Sequence, residues 1–502
     1  MGLPAYAQEA APTPAADGLG LRGGESGLSA AAPPLAANLT DEAPAEDQPQ
    51  KPKSKVSNKP PPPTRLIKRV RPVSMELEPY AKALRAGLPG GPPKLDPAHP
   101  PSTVAVVPPI PAKHRPPVEE KPFGPTGIEL GDLRLLPSIE EDVGYASNPS
   151  LLPGQNKASF YESTQGGLAF QSDWARNDLH GSLNGGYTDY FEAHDADSPN
   201  ATAVLGGRID ASHDLSFDGE GRFNLLTQTP GSVTLPTGIA LAARGRPLVE
   251  TFDASLGGAQ KFGDLTLSLH GTLDRVDYQD ATLADGSKER LSSDDYDDWG
   301  VKARAAYQIS PVISPFLEGV FDTRVYDQTV DFTGFERNST GALGRVGAIV
   351  ALSGQLTGEA SIGYGERHYR DPRLPVLRAP LIDASLIWSA TPLTTVTLKT
   401  SSSLADTTNA GDSGAVSRTY SIDVSHQLLR NLTLGANAAY TTDVYAGAPL
   451  HDSTLSYGGH ADYNITRDIV LRASATHSQY ASSAPGSNYV SNVFMLGLRL
   501  QR

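Results

Sequence analysis

The chain has 502 residues, 38% of them hydrophobic, with a net charge of −14 and no cysteine. No apolar run approaches the roughly 18 residues of a membrane-spanning helix, which excludes helical membrane proteins but not β-barrels, whose lipid face uses only alternate residues. The negative charge argues against general nucleic-acid binding, and the missing cysteine excludes a disulfide framework and Cys metal sites.

Ala5-Tyr6-Ala7 before Gln8-Glu9-Ala10 has the A-x-A form of a secretory cleavage site, so residues 1–7 read as the remnant of a signal peptide. Residues 8–131 are rich in Pro and Ala and show no sustained periodicity. Such a segment cannot bury enough apolar surface to offset its chain entropy, so it is expected to be disordered, as a periplasmic arm. Within it, residues 51–71 carry Lys and Arg without any acid around Pro60–Pro63. Proline-rich charged sequence behaves as a semi-rigid spacer. The basic stretch reads either as a solvated linker or as attraction to anionic peptidoglycan, lipid headgroups or a periplasmic partner.

From residue 132 to 502 the pattern changes to alternation. In Asn431–Tyr445, Leu432, Leu434, Ala436, Ala438 and Tyr440 occupy one face, and Thr433, Gly435, Asn437 and Thr441 the other. A period of two is the signature of a β-strand with one apolar and one polar face. Similar strands recur at Leu265–Leu273, Trp299–Tyr307, Ile382–Trp388 and Phe494–Leu500. Short turns are expected near Arg176-Asn177, His213-Asp214, Gly263-Asp264, Pro311, Gly354, Pro392, Arg430-Asn431 and Arg467-Asp468. Longer loops rich in Gly, Pro, Asp and Ser separate them, such as Pro230–Pro247 and Asp280–Asp295. Short turns on one rim and long loops on the other organise outer-membrane barrels.

The fold class is therefore all-β: a transmembrane antiparallel up-and-down β-barrel of about 18 strands. Pro137 and the acidic run Glu140–Asp142 in the first strand leave about 16 as the alternative count. A soluble sandwich would carry denser Val, Ile, Leu and Phe on its core faces. Tyr187, Tyr307, Tyr364, Tyr440 and Tyr463 instead fit interface girdles, with ring in lipid and hydroxyl in water.

Leu135–Ser150 (LLPSIEEDVGYASNPS), with the hairpin at Trp174–Asp178, resembles the putative β-barrel porin 2 family of proteobacterial outer-membrane proteins. Members open with a Pro, an acidic strand and a Gly-Tyr followed by an Asp/Asn-Asn pair; here that element reads Gly144-Tyr145-Ala146-Ser147-Asn148. The resemblance covers residues 130–502 and implies a barrel in the cell outer membrane, with no solute implied. Many bacterial barrels end on Phe for the barrel-insertion machinery. This chain has Leu500 followed by Gln501-Arg502.

No motif for an enzyme is present. His residues are scattered, without a metalloprotease H-E-x-x-H, a nucleophile-elbow G-x-S-x-G or a phosphate-cradling loop. His180, His270 and His460 read as polar lumen lining rather than catalytic groups. The acidic cluster Asp294-Asp295-Tyr296-Asp297-Asp298 lacks EF-hand spacing and reads as a solvated loop. No metal, cofactor or catalytic residue is expected.

Charged residues placed on inner faces are Lys302, Arg304, Glu318, Asp322, Arg324, Arg345, Glu359, Asp383, Lys399 and Asp423. Lipid-facing Arg or Lys would cost about 2–4 kcal/mol at midplane, a cost the lumen avoids. They are candidates to line a pore, and neither sign predominates. Loop Pro230–Pro247 holds the apolar run Ile239–Ala243 followed by Arg244 and Arg246. Exposure of that run is unfavourable, so inward folding is expected, making these arginines a candidate constriction. The function expected is a porin-like channel for small hydrophilic solutes. The alternatives are a structural or interaction barrel, or a polysaccharide-export barrel with a periplasmic docking arm.

Overall fold

Alternation sets the two faces of every strand. In Tyr296–Tyr307 the outer set includes Trp299, Val301, Ala303 and Tyr307, whereas Asp298, Lys302 and Arg304 are buried. Shifting this register by one residue would put three charges into lipid, so the faces are strongly specified.

The computed structural model describes residues 123–502, apart from 155–156, 233–234, 236, 332–333, 353–354, 406, 408–411 and 448. The signal-peptide remnant, and the arm as far as residue 122, lie outside the described residues. The barrel strands are β1 (Leu133–Ala146), β2 (Ser159–Ser172), β3 (Asp178–Tyr190), β4 (Ser198–Asp210), β5 (Leu215–Thr227) and β6 (Leu248–Phe262). Next come β7 (Leu265–Tyr278), β8 (Tyr296–Tyr307), β9 (Ile313–Tyr326), β10 (Ser339–Leu352), β11 (Leu356–Tyr369) and β12 (Leu377–Thr391). The last six are β13 (Thr394–Ala405), β14 (Gly414–Leu429), β15 (Leu432–Ala446), β16 (His451–Asn464), β17 (Ile469–Ser482) and β18 (Tyr489–Gln501).

Each strand pairs antiparallel with the next, and β1 pairs with β18 from Ser138↔Gln501 to Ala146↔Val493, which closes the barrel. Closure leaves no long unpaired edge, the requirement for any sheet in hydrocarbon. The larger of the two expected strand counts is therefore the right one. Seven of the eight expected short turns fall between consecutive strands on one rim, and the eighth, at Gly354, lies outside the described residues.

Pro137 does not exclude β1, because it sits in a gap on that strand's closing edge. Below it, Leu133–Leu135 pairs with a short strand, Ile128–Leu130; above it, pairing with β18 begins at Ser138. No partner there asks for the N–H that proline lacks. The acidic run is parted by the pleat: Glu140 and Asp142 point inward, while Glu141 points outward and accepts a bond from Thr164 Oγ1 at 2.8 Å.

Outside, Tyr187, Tyr307, Tyr364, Tyr440 and Tyr463 are all exposed on the apolar face, as are Trp299 near the long-loop end of β8 and Trp388 near the short-turn end of β12. Inside, a second set of tyrosines rings the long-loop mouth. Tyr161 stacks near Tyr190, Tyr296 near Tyr326 and Tyr480 near Tyr489, with ring centroids 5.1–5.4 Å apart. One ladder is short: β12 and β13 pair only below Ala384↔Thr400. Limited trypsin digestion in detergent should leave a fragment beginning between Lys113 and Arg134, because closed pairing protects the strands from β1 onward. N-terminal sequencing of the product checks this; rapid cutting throughout the strands would contradict it.

Candidate functional site: the inner wall and the mouth

The densest constellation lies on the inner faces of β8 to β12. Arg304, Glu318 and Arg345 are direct cross-strand neighbours on three adjacent strands. Opposite charges in such positions attract, so the register itself builds the ion pairs. Glu318 lies 3.6 Å from Arg304, 3.4 Å from Arg345 and 3.8 Å from Lys302 Nζ. Arg304 also reaches Glu359 at 2.7 Å, and Arg345 reaches Asp383 at 3.1 Å. The Arg304 guanidinium lies over the Phe316 ring, 3.6 Å from its centroid, which holds the fork flat.

Nearer the mouth is a second belt. Arg324 bonds Asp298 at 2.9 Å, and Arg367 contacts both Asp298, at 3.5 Å, and Asp322. Arg324 also lies over the Tyr296 ring, 4.3 Å from its centroid. The sequence had brought forward Lys302, Arg304, Glu318, Asp322, Arg324, Arg345, Glu359 and Asp383, and these belts gather all of them. Lys399 and Asp423 also take the inner face, on β13 and β14, half-buried beside exposed Leu398 and Ile422.

Sequence reasoning missed Asp298 and Arg367, yet both share parity with inner-face neighbours. Asp298 was absorbed into the acidic cluster read as a solvated loop. That reading is corrected because β8 begins at Tyr296 and deals the cluster to different surroundings. Asp298 is buried in the belt, Asp294 is buried in a short 3-10 turn, and Asp295 accepts the Tyr278 amide at 2.7 Å. Asp297 faces outward, 3.6 Å from Arg275.

A third ionic group lies beside the closing seam. Arg472 donates to both oxygens of Glu140 at 2.8 and 2.9 Å and to Asp462 at 3.0 Å, while Arg499 reaches Glu140 at 2.6 Å. The sequence did not join Glu140 to Arg472 or Arg499, because those partners lie more than three hundred positions away. His270, one of the expected lumen histidines, is buried on β7 with Nε2 2.9 Å from Asp218. His180 sits 2.7 Å from Asp178.

The long loop between β5 and β6 crosses the mouth. At one end the Pro230 carbonyl accepts the Tyr489 hydroxyl of β18 at 3.2 Å, and Gly231 lies against the Tyr480 ring. At the other, Leu235 is fully buried among Val276, Tyr278, Tyr296 and Tyr326 of β7 to β9. Strands β8 and β18 lie on opposite sides of the closed sheet, so the loop spans the opening. Leu152, from the loop after β1, joins the same cluster together with Ile239 and Ala243.

The two arginines expected at a constriction part company. Arg246 is half-buried and donates to the Ala196 carbonyl, and desolvation pulls its guanidinium below the usual range. Arg244 instead is exposed and donates to the Ala284 carbonyl at 2.9 Å, held on the neighbouring loop by the bond from its amide to Thr282. Two residues along an irregular segment need not share a direction, which is why the sequence could not separate them.

Among the described residues, one group of metal-type ligands converges outside these belts: Asp189, His194 and Asp197, with His194 Nδ1 3.3 Å and 3.6 Å from the two carboxylates. Asp197 is already engaged by the Tyr190 amide at 2.8 Å.

A closed barrel with an apolar exterior, a charged interior and a loop across one mouth is an outer-membrane type of architecture. The family model described as putative beta-barrel porin 2 matches residues 121–502. The chain belongs to that family. No curated protein matches the chain. Among solved structures similar to this porin 2 chain is a copper transporter, OprC, at 10% identity and TM-score 0.41, covering 75% of this chain and 81% of that one. The siderophore receptor PiuA from Acinetobacter baumannii aligns at 11% identity and TM-score 0.39, covering 74% and 82%. OccK2 (OpdF) from Pseudomonas aeruginosa, solved with glucuronate, aligns at 11% identity and TM-score 0.38, covering 74% and 98%. Likeness at this level carries no argument about the activity of this porin 2 chain.

Proposed function

We propose that the chain is a channel for small hydrophilic solutes across the outer membrane, narrowed at its long-loop mouth by the β5–β6 loop and without catalytic activity. The observation that carries this reading is the charged inner wall beneath that loop. A barrel of about 18 strands has room for an aqueous lumen, and water there lowers the cost of so many ionic groups. The short-turn rim faces the periplasm, and the Pro-rich arm extends from that side, where its basic stretch meets peptidoglycan or a periplasmic partner. Each belt is internally balanced, so the channel discriminates by size and orientation more than by the sign of a solute's charge.

Conductance of the purified protein in a planar bilayer tests the reading; a tight seal without current would favour a structural or docking barrel. Glu318→Gln removes the carboxylate shared by Lys302, Arg304 and Arg345. Reversal potential in a salt gradient should shift toward anion preference. The folded barrel should also lose stability, by up to about 3–5 kcal/mol if the cluster is dry and less where lumen water reaches it.

A further inference from the structure

Asp189, His194 and Asp197 come from the end of one strand and the short turn that follows it. β3 ends at Tyr190, and a 3-10 turn at His194–Ala196 brings the chain back to β4. The Ala193 amide donates to the Tyr190 carbonyl at 3.1 Å, Ala196 to Ala193 at 2.8 Å, and Asp197 to His194 at 3.1 Å. These bonds fix the turn, with Ala196 fully buried beside Tyr161 and Tyr190. Asp189 takes the outward parity of exposed Tyr187, and His194 is exposed. One ligand atom from each of the three lies within 4.8 Å of the other two.

An imidazolium bridging two carboxylates is the ordinary account of such a group, and the distances disfavour it. Charge-assisted N–H···O bonds run about 2.7–2.9 Å. His194 Nδ1 stands 3.3 Å from Asp189 Oδ1 and 3.6 Å from Asp197 Oδ2, longer than such a bond to either. Two ligands held about 2.0–2.1 Å from a zinc-like ion lie roughly 3–3.4 Å apart, close to both separations.

A second observation is independent of these distances. Asp189 Oδ1 is sealed from solvent, yet no hydrogen-bond donor satisfies it among the described residues. Buried carboxylate oxygens ordinarily have such a donor. Glu162 of β2 stands directly across the ladder from Asp189, exposed and without an ion pair among the described residues. Like charges in that position repel, and a cation relieves them. Asp197 is oriented for the same role. Its Oδ1 accepts the Tyr190 amide at 2.8 Å, and its Oδ2, turned toward His194, accepts the Tyr187 hydroxyl at 3.3 Å. Outer bonds of this kind aim a ligating carboxylate.

We propose that Asp189, His194 and Asp197 form a site for one first-row divalent cation, and that the bound ion braces the loop across the mouth. One imidazole among oxygen ligands favours such an ion over Ca²⁺ or Mg²⁺, which take oxygen ligands. Exposure of His194 gives the ion a path from solvent, and water fills its remaining positions. The brace runs through the turn, whose Ala196 carbonyl accepts Arg246 of the β5–β6 loop. An ion that binds only the ordered turn stabilises it, and the turn then holds that end of the loop. Neither part depends on whether the lumen conducts.

The probe is Zn²⁺, titrated by calorimetry into the metal-free, full-length protein in detergent, with Ca²⁺ as the comparison. The chain has eleven histidines, so variants isolate this site from the others. The unaltered protein should bind one more equivalent of zinc than His194→Ala does. Asp189→Asn should weaken that equivalent by at least about tenfold. Calcium should not displace it. Hydrogen exchange of residues 190–197 and 239–246 should slow severalfold with zinc in the unaltered protein, and not in His194→Ala. Heat-modifiable gel mobility verifies that each variant is folded. Equal zinc uptake by the unaltered protein and both variants, or none by any, would overturn the site. Slowing confined to residues 190–197 would overturn the brace.

Discussion

Leu434→Arg should lower the yield of barrel folded into lipid more than Asn437→Arg does. The two residues lie three positions apart on one strand, β15, and both variants introduce the same guanidinium. Their surroundings differ. Leu434 is 37% exposed on the lipid side, in the row of Tyr440 and Val444, whereas Asn437 is half-buried on the inner side, opposite Asp423. Lipid-facing arginine costs about 2–4 kcal/mol at the bilayer midplane and about 0–1 kcal/mol near the interface, and Leu434, two positions in from the Leu432–Tyr463 pair, lies toward the interface. Inside, Asp423 faces the new guanidinium. Refolding yield into vesicles and heat-modifiable gel mobility measure the difference, and equal loss in both variants would refute the assignment of faces.

Deleting Ser232–Gly245 should raise single-channel conductance severalfold. This segment contains Leu235, whose burial under Tyr278, Tyr296 and Tyr326 anchors the loop on one side of the mouth. Its anchor on the other side, the Pro230 carbonyl on Tyr489, would remain but would no longer pull chain across the opening. The arginines separate this effect from simple charge. Arg246→Glu reverses a half-buried cation near Tyr190 and Asp197, and should loosen the loop and shift selectivity toward cations. Arg244→Glu alters an exposed group held on a neighbouring loop, and should do much less. Unchanged conductance on deletion would place the loop outside the permeation path.

The barrel was legible because its determinants are local. Period-two alternation in Trp299–Tyr307 or Leu432–Val444 states which side chains meet lipid, and Gly263-Asp264 or Arg430-Asn431 states where the chain reverses. Even the inner-face charges on β8 to β12 follow from parity alone. What stayed hidden depends on encounters between distant segments. Nothing near Pro230 announces that its carbonyl will meet Tyr489, and nothing near Glu140 announces Arg472. The short ladder between β12 and β13 was hidden for a similar reason. Pro380 hints that one edge is unsuited to a ladder, but only the packed structure reveals Leu404 under Leu381. Asp298 is the instructive middle case. Its parity was readable, and a run of acidic neighbours disguised it as loop.

The distribution of aromatic residues has a practical consequence. All three tryptophans are exposed, Trp299 and Trp388 on the outer wall and Trp174 at the β2–β3 turn, while the buried tyrosines gather at the mouth. Light absorbed selectively by indole therefore samples only the surroundings of the outer wall, at two depths on β8 and β12 and at the β2–β3 turn. Phenol signals come from both the lipid-facing tyrosines and the buried ring at the mouth. The native chain thus provides an optical view of its outer surroundings through its indoles, without an attached dye.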